Sequence, residues 1–387
     1  MKRLRNISLI LATLLLFCSS ALAAPPVFVS DIEELYAAVN DPANIGVTIF
    51  LAPGNYMLTP IDPLGTERPN RGRLELQKDM SIIGRIGYRS AVVIDASLLP
   101  RSSYQGGGPP LTGAIRLGRG SNTVGWLTTK NSTVGSAAIE GDLVHPGIAN
   151  IRIIGIASTG NIRGLDIRNF GPSASGETIN VTILDSEFYD NTIGLAEGLR
   201  VGNFAGASGS TINLWMAGNR SFGNGQGRLI VNNTANDCTI NVISNLNRFY
   251  NNGAGTNIFA GLGTAQPANG NTINYSSFGD QYVDNTGFSE FDLGGLIIGG
   301  GENIAVPYNA NNNTVVARLW GNRFSGNQVA DIQVYGAKSL PESAGIPGLD
   351  NSATVFLFGT RPGSYTQLVV QSTPEEPMNS NTATLIR

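Results

Sequence analysis

A chain of 387 residues with 41% hydrophobic and 14% charged residues, 49 glycines and a formal net charge of -3 is long enough to bury a large core and too apolar to stay disordered. Its mild acidity excludes the basic face that nucleic-acid binding calls for. Two cysteines, Cys18 and Cys238, exclude a disulfide-stapled scaffold.

The chain opens with Lys2, Arg3 and Arg5, an almost wholly apolar run from Ile7 to Phe17, and the small residues Ala21-Leu22-Ala23. This is the pattern of a secretory signal peptide, residues 1–23, cut after Ala23. The apolar run is short for a membrane span, and Cys18 follows Phe17 where lipid attachment would call for a small residue. The sequence therefore predicts a soluble protein exported to the exterior, the periplasm or the cell surface. Its net charge would be near -6 and Cys238 its single cysteine.

In residues 24–46, Ser30-Asp31-Ile32-Glu33 reads as a capping box opening a short amphipathic helix through Val39. "VTIFLAPGNYML" (Val47 to Leu58) and "MSIIGRIGYRSAVVIDAS" (Met80 to Ser97) each read as strand, tight turn, strand. "IANIRIIGIASTGNIRGLDIRN" (Ile148 to Asn169) is a degenerate form of a unit that then becomes regular.

Five related hexapeptides follow: "SEFYDN" at Ser186, "NRSFGN" at Asn219, "NRFYNN" at Asn247, "DQYVDN" at Asp280 and "NRFSGN" at Asn322. Each stands at a fixed distance after a threonine, Thr178, Thr211, Thr239, Thr272 or Thr314, and those threonines are spaced by 33, 28, 33 and 42 residues. A β-branched residue follows every threonine. An aromatic comes ten residues after four of them (Phe188, Phe249, Tyr282, Phe324), with Phe222 displaced by one in the second copy. A further apolar alternation ("GLRV", "RLIV", "TNIF", "GLII", "DIQV") closes each copy. A period of this length means a solenoid, a propeller or an array, and short alternating strands without hairpin turns select a parallel β-solenoid. Asn191, Asn224, Asn252, Asn285 and Asn327 then read as a ladder of side-chain amides at successive turns. The solenoid is predicted over residues 47–371. Leu340 to Asn351 reads as a loop before a last strand, "ATVFLFG", and residues 372–387 as a flexible tail.

With its capping helix, "ANIGVTIFLAPGNYML" and coils with asparagine turns, the chain resembles the right-handed parallel β-helix, or pectin-lyase-like, superfamily from about Ser30 to Gly359. The resemblance implies an all-β right-handed parallel β-helix and a connection to carbohydrate. It does not supply a catalytic set. The Asn-Thr-Asp, Asp-Asp and Gly-His-Gly of the polygalacturonase-like hydrolases and the Leu-Gly-Arg-Pro-Trp of the methylesterases are missing. The one histidine, His145, precedes a proline and reads as a turn residue.

Candidate chemistry rests on three features. Asp185 and Glu187, placed on one face by alternation, read either as a calcium site of the kind a polysaccharide lyase uses or as solvated exterior residues, as do Asp280 and Asp284. Glu187, Arg220, Arg248, Gln281 and Arg323 recur next to the inward aromatic and should form one exterior row. Adjacent like charges cost energy across strands, and guanidinium pairs carboxylate bidentately, so the row points to an acidic polysaccharide. Its bland reading is a Glu187–Arg220 pair with arginine stems covering apolar surface. The Thr-x-Asn columns (Thr178/Asn180, Thr211/Asn213, Thr239/Asn241, Thr272/Asn274) resemble ice-binding faces, though strand propensity explains threonine there. The leading expectation is an exported glycan-binding or structural scaffold. The alternative is a calcium-dependent polysaccharide lyase with an arginine base.

Overall fold

The computed structural model describes residues 25–100, 113–133, 137–142, 148–193, 196–264, 266–287, 294–303, 310–328, 330–339, 348–363, 365–368 and 380–387. The signal-peptide segment and His145 lie outside these residues.

Among the described residues three parallel sheets run the length of the chain. Sheet I has twelve strands, from Val27–Val29 to Thr382–Ile386; sheet II has nine short ones, from Gly54–Met57 to Arg323–Ser325; sheet III has ten, from Leu74–Glu75 to Tyr365–Leu368. The chain visits I, II and III in turn, and each strand pairs with its equivalent one coil away. This is a right-handed parallel β-helix with one short helix near its N-terminus.

The regular coils show why these residues stack. In Thr178–Leu184, Ile179, Val181 and Ile183 point inward and are buried, while Thr178, Asn180 and Thr182 point outward. The five threonines lie in one unbroken register. The inward residues of all three sheets form one continuous apolar core from Val29 to Ala383.

The hexapeptide encodes a whole corner of the coil. Its first residue is buried, and its side-chain oxygen accepts the backbone N–H of the equivalent residue one coil earlier. Ser186 donates to Asn219 (2.9 Å), Asn219 to Asn247 (2.9 Å), Asn247 to Asp280 (2.8 Å) and Asp280 to Asn322 (2.9 Å). The sixth residue repeats the arrangement on the far side of sheet II. The backbone N–H of Asn191 reaches Asn224 at 3.0 Å, and the series continues through Asn252 and Asn285 to Asn327. The Asn191 Nδ2 also donates to the Asn224 oxygen, and each later pair repeats that bond. The fifth residue takes a left-handed conformation, with Asp190 at φ 53°, Asn251 at 53° and Asp284 at 52°, and glycine in the other two copies. A third amide series joins Cys238, Asn271, Asn313, Asn351 and Asn381 at the corner between sheets III and I.

Several expectations are corrected. The inward column of sheet II is Phe188, Ser221, Phe249, Tyr282 and Phe324; Phe222 belongs to the exterior column with Tyr189 and Tyr250. The helix, Ile32–Asn40, is capped by Asp31, which accepts from the Glu34 N–H at 2.9 Å. Glu34, not Glu33, reaches back to Ser30. Val27–Val29, ahead of the helix, is already a strand of sheet I. "ATVFLFG" is not the last strand, because Tyr365–Leu368 and Thr382–Ile386 follow it. The expected flexible tail thus ends in a strand paired with Ser352–Phe358, held by the same alternation of inward Ala383 and outward Thr382 and Thr384.

Candidate functional site

The exterior of sheet II carries the row singled out by sequence. Glu187, Arg220, Arg248, Gln281 and Arg323 are direct register partners on consecutive strands. Glu187 is engaged on both sides, 3.4 Å from Arg220 and 3.6 Å from Arg89. The pairing of Glu187 with Arg220 is therefore present, and Arg89 from a distant loop joins it. Arg248 and Arg323 are exposed, and among the described residues neither takes part in an ion pair.

Sequence reasoning missed a second exterior column, two residues further along each strand. Tyr189 stacks on Phe222 with centroids 5.0 Å apart, and Phe222 on Tyr250 at 4.8 Å. The Arg248 guanidinium lies over the Tyr250 ring at 4.5 Å. The signal was available as the fourth residue of "SEFYDN", "NRSFGN" and "NRFYNN". The flanking turns add Asp185, Asp190 and Asp284.

Asp185 and Glu187 do not share a strand face. Asp185 sits in the turn between sheets I and II with φ 51°, and Glu187 begins the next strand, so the alternation that joined them does not run through. Among the described residues no three His, Cys, Asp or Glu side chains are grouped to hold a metal ion. Asp280 is not a solvated residue; it is fully buried within the first amide series.

The Thr-x-Asn columns occupy the exterior of sheet I. The asparagines are tied to one another, with Asn180 donating to Asn150, Asn213 to Asn180, Asn241 to Asn213 and Asn274 to Asn241. Trp215 and Ile243, 43% and 49% exposed, stand in the adjoining column, so this face is not a uniform polar grid.

Sheet III carries a buried network of charged side chains, and sequence reasoning did not find it. Asp166 accepts from Arg200 at 2.9 and 2.5 Å and lies 3.1 Å from Arg168. Arg168 also donates to Glu140 at 2.7 Å, and Arg163 pairs with Glu197. None of these side chains is more than 10% exposed. Burial would raise the Asp166 pKa, but the guanidiniums of Arg168 and Arg200 overcome it and hold the carboxyl down to about 2. Burial opposes charge on Arg200 too, and Asp166 and Glu197 reverse that, raising its pKa above the ordinary arginine value. Such an arginine is a fixed cation and not a base. The charged exterior of sheet III is closed and internally compensated, whereas that of sheet II is open.

No family model matches the chain, and no characterised protein matches it by sequence. Solved structures similar to it include the A-module of the Azotobacter vinelandii mannuronan C-5 epimerase AlgE4 (16% identity, 92% of this chain and 98% of that chain, TM-score 0.42). Two others are the periplasmic alginate epimerase AlgG (10%, 93% and 82%, TM-score 0.37) and a rhamnogalacturonan lyase (12%, 75% and 82%, TM-score 0.33). By its own coil architecture the chain is a right-handed parallel β-helix protein.

Proposed function

We propose that this is an exported glycan-binding protein that holds an acidic polysaccharide along the exterior of sheet II. The observation that carries the reading is the open row of Arg220, Arg248 and Arg323, two of them without an ion pair among the described residues. Strands stack about 4.8 Å apart, so the nine strands of sheet II make a rigid rule roughly 38 Å long. Guanidinium groups fixed on such a rule match a polymer that carries a carboxylate on each repeating unit. A scaffold of paired backbone and amide ladders costs little further ordering when the polymer binds.

Titration with pectate, alginate and a neutral glucan tests this. The wild-type protein should bind an acidic polymer and not the glucan, more weakly as salt rises. Replacing Arg220, Arg248 and Arg323 together with alanine should lower affinity at least tenfold, for roughly 1.4 kcal/mol or more, with an unchanged circular dichroism spectrum. Equal binding by that variant would overturn the reading. Ultraviolet absorbance with calcium or chelator separates binder from lyase: a flat trace is expected, and calcium-dependent formation of unsaturated uronate would replace binding with lyase chemistry.

A further inference from the structure

From Thr178 onward the chain passes from sheet I to sheet II in two residues. One earlier coil uses eight, Gly84–Ala91, between the strands Ser81–Ile83 and Val92–Asp95. The insertion is not slack. Gly84 lies against the Trp126 carbonyl so closely that a Cβ would come within 2.2 Å of its oxygen, and Gly87 takes φ 82° at the tip. The Tyr88 N–H donates to the Arg85 carbonyl at 2.9 Å and the Ala91 N–H to the Tyr88 carbonyl at 3.0 Å. Arg89 then crosses to later coils. Its carbonyl accepts from Thr128, its guanidinium donates to the Ile156 carbonyl at 3.1 Å, and it stands 3.6 Å from Glu187. The loop is thereby pinned beside the row that begins at Glu187.

At its tip Tyr88 is 59% exposed, with the Arg85 guanidinium over one face of its ring at 4.5 Å. No other ring or cation meets it among the described residues. The Tyr189–Phe222–Tyr250 column differs in a way that decides what each aromatic can do. Those rings are parallel to within 4° and 12° and cover one another's faces, so they present mainly edges to a ligand. Tyr88 presents a face. The apolar C–H side of a sugar ring packs on such a face, and Arg85 behind it enriches the site in positive charge.

We infer that the loop Gly84–Ala91 forms one end of the glycan-binding face and that Tyr88 is its stacking platform for a sugar ring, an inference that rests on the reading of sheet II above. The test is fluorescence anisotropy with labelled oligogalacturonate and alginate oligomers, at low and high salt. Tyr88→Ala should weaken binding about three- to tenfold, the range of an aromatic contact, and by the same factor at both salt concentrations. Tyr88→Phe should stay within about twofold. The loss caused by Arg248→Ala should instead shrink at high salt. Wild-type affinity in Tyr88→Ala, alongside a loss in the arginine variants, would remove the loop from the site and leave the sheet II reading standing. Equal losses in the Ala and Phe variants would assign the contact to the hydroxyl and sink the stacking role. No binding by the wild-type protein would overturn both readings.

Discussion

Arg228 is fully buried at an inward position of sheet III, in a column that also holds Leu165, Leu199, Thr256 and Leu296. Two further departures from the repeat meet it. Ser221 stands where the other four copies of the repeat place an inward aromatic, and the Arg228 guanidinium sits 4.4 Å over the ring of the next one, Phe249. Asp280 stands in the first amide series between Asn247 and Asn322, where its neighbours are asparagines. Ser244 bridges the two charges, accepting from Arg228 at 2.8 Å and donating to Asp280 at 2.5 Å, while Tyr275 accepts from Arg228 at 2.5 Å. Burial pushes the Asp280 carboxyl up and opposes charge on Arg228, whereas Tyr275, Tyr282 and Asp280 favour the arginine cation. Removing one member of a buried pair leaves the other uncompensated, which costs about 3–5 kcal/mol. Arg228→Leu and Asp280→Asn should each lower the urea midpoint substantially, and the double variant should lose clearly less than the sum of the two. Additive losses would mean that the two charges do not act as a unit.

At the scale of the elements, the exterior of sheet III is a second charge system, built from Glu140, Asp166, Arg168 and Arg200 on adjoining strands. The Asp166 carboxyl titrates near 2 in the folded chain, below the unfolded aspartate value of about 3.9. A depressed acid stabilises the fold above the unfolded value and loses that contribution as pH falls through the folded one. The shift is worth about 2–3 kcal/mol, lost progressively between about pH 5 and pH 1. Urea midpoints measured across that window should fall less steeply in Asp166→Asn than in the wild-type protein; parallel slopes would contradict the assignment. Little of this network was legible beforehand, for a physical reason. The strand Arg163–Asn169, "RGLDIRN", looks half solvated by alternation, and nothing local announces that its outward Asp166 and Arg168 are buried as well. The Asn191 to Asn327 ladder was more legible than the other two amide series, because register turns a fixed sequence spacing into a contact and these asparagines recur at one distance from each threonine. Arg228 was invisible, since its neighbours Ser244 and Asp280 come from two later coils.

The whole molecule is a stack in which each coil touches chiefly its two neighbours, so stability is a sum of local interfaces. The helix Ile32–Asn40 closes the N-terminal end: Leu35, Ala38 and Val39 are buried, and the Tyr36 hydroxyl donates to the Gly72 carbonyl at 2.6 Å. Arg68 anchors the same region, paired with Glu33 and stacked 4.1 Å over the Tyr36 ring. A closed first coil protects the strand edges and apolar interior beneath it from pairing with other chains. Leu35→Asp places a charge in that apolar contact and should undock the helix, at a cost of several kcal/mol. Nearest-neighbour coupling predicts that the damage stays local. Amide hydrogen exchange should become fast in Val27–Val29, Thr48–Leu51 and Gly54–Met57, while the strands from Thr178–Leu184 to Thr314–Trp320 keep their protection. Association should also grow with protein concentration as the first coil opens. Uniform loss of protection along the chain would instead make the β-helix a single cooperative unit, with the cap as its keystone. In that case the row on sheet II, many coils from the helix, should lose its ligand in the same variant.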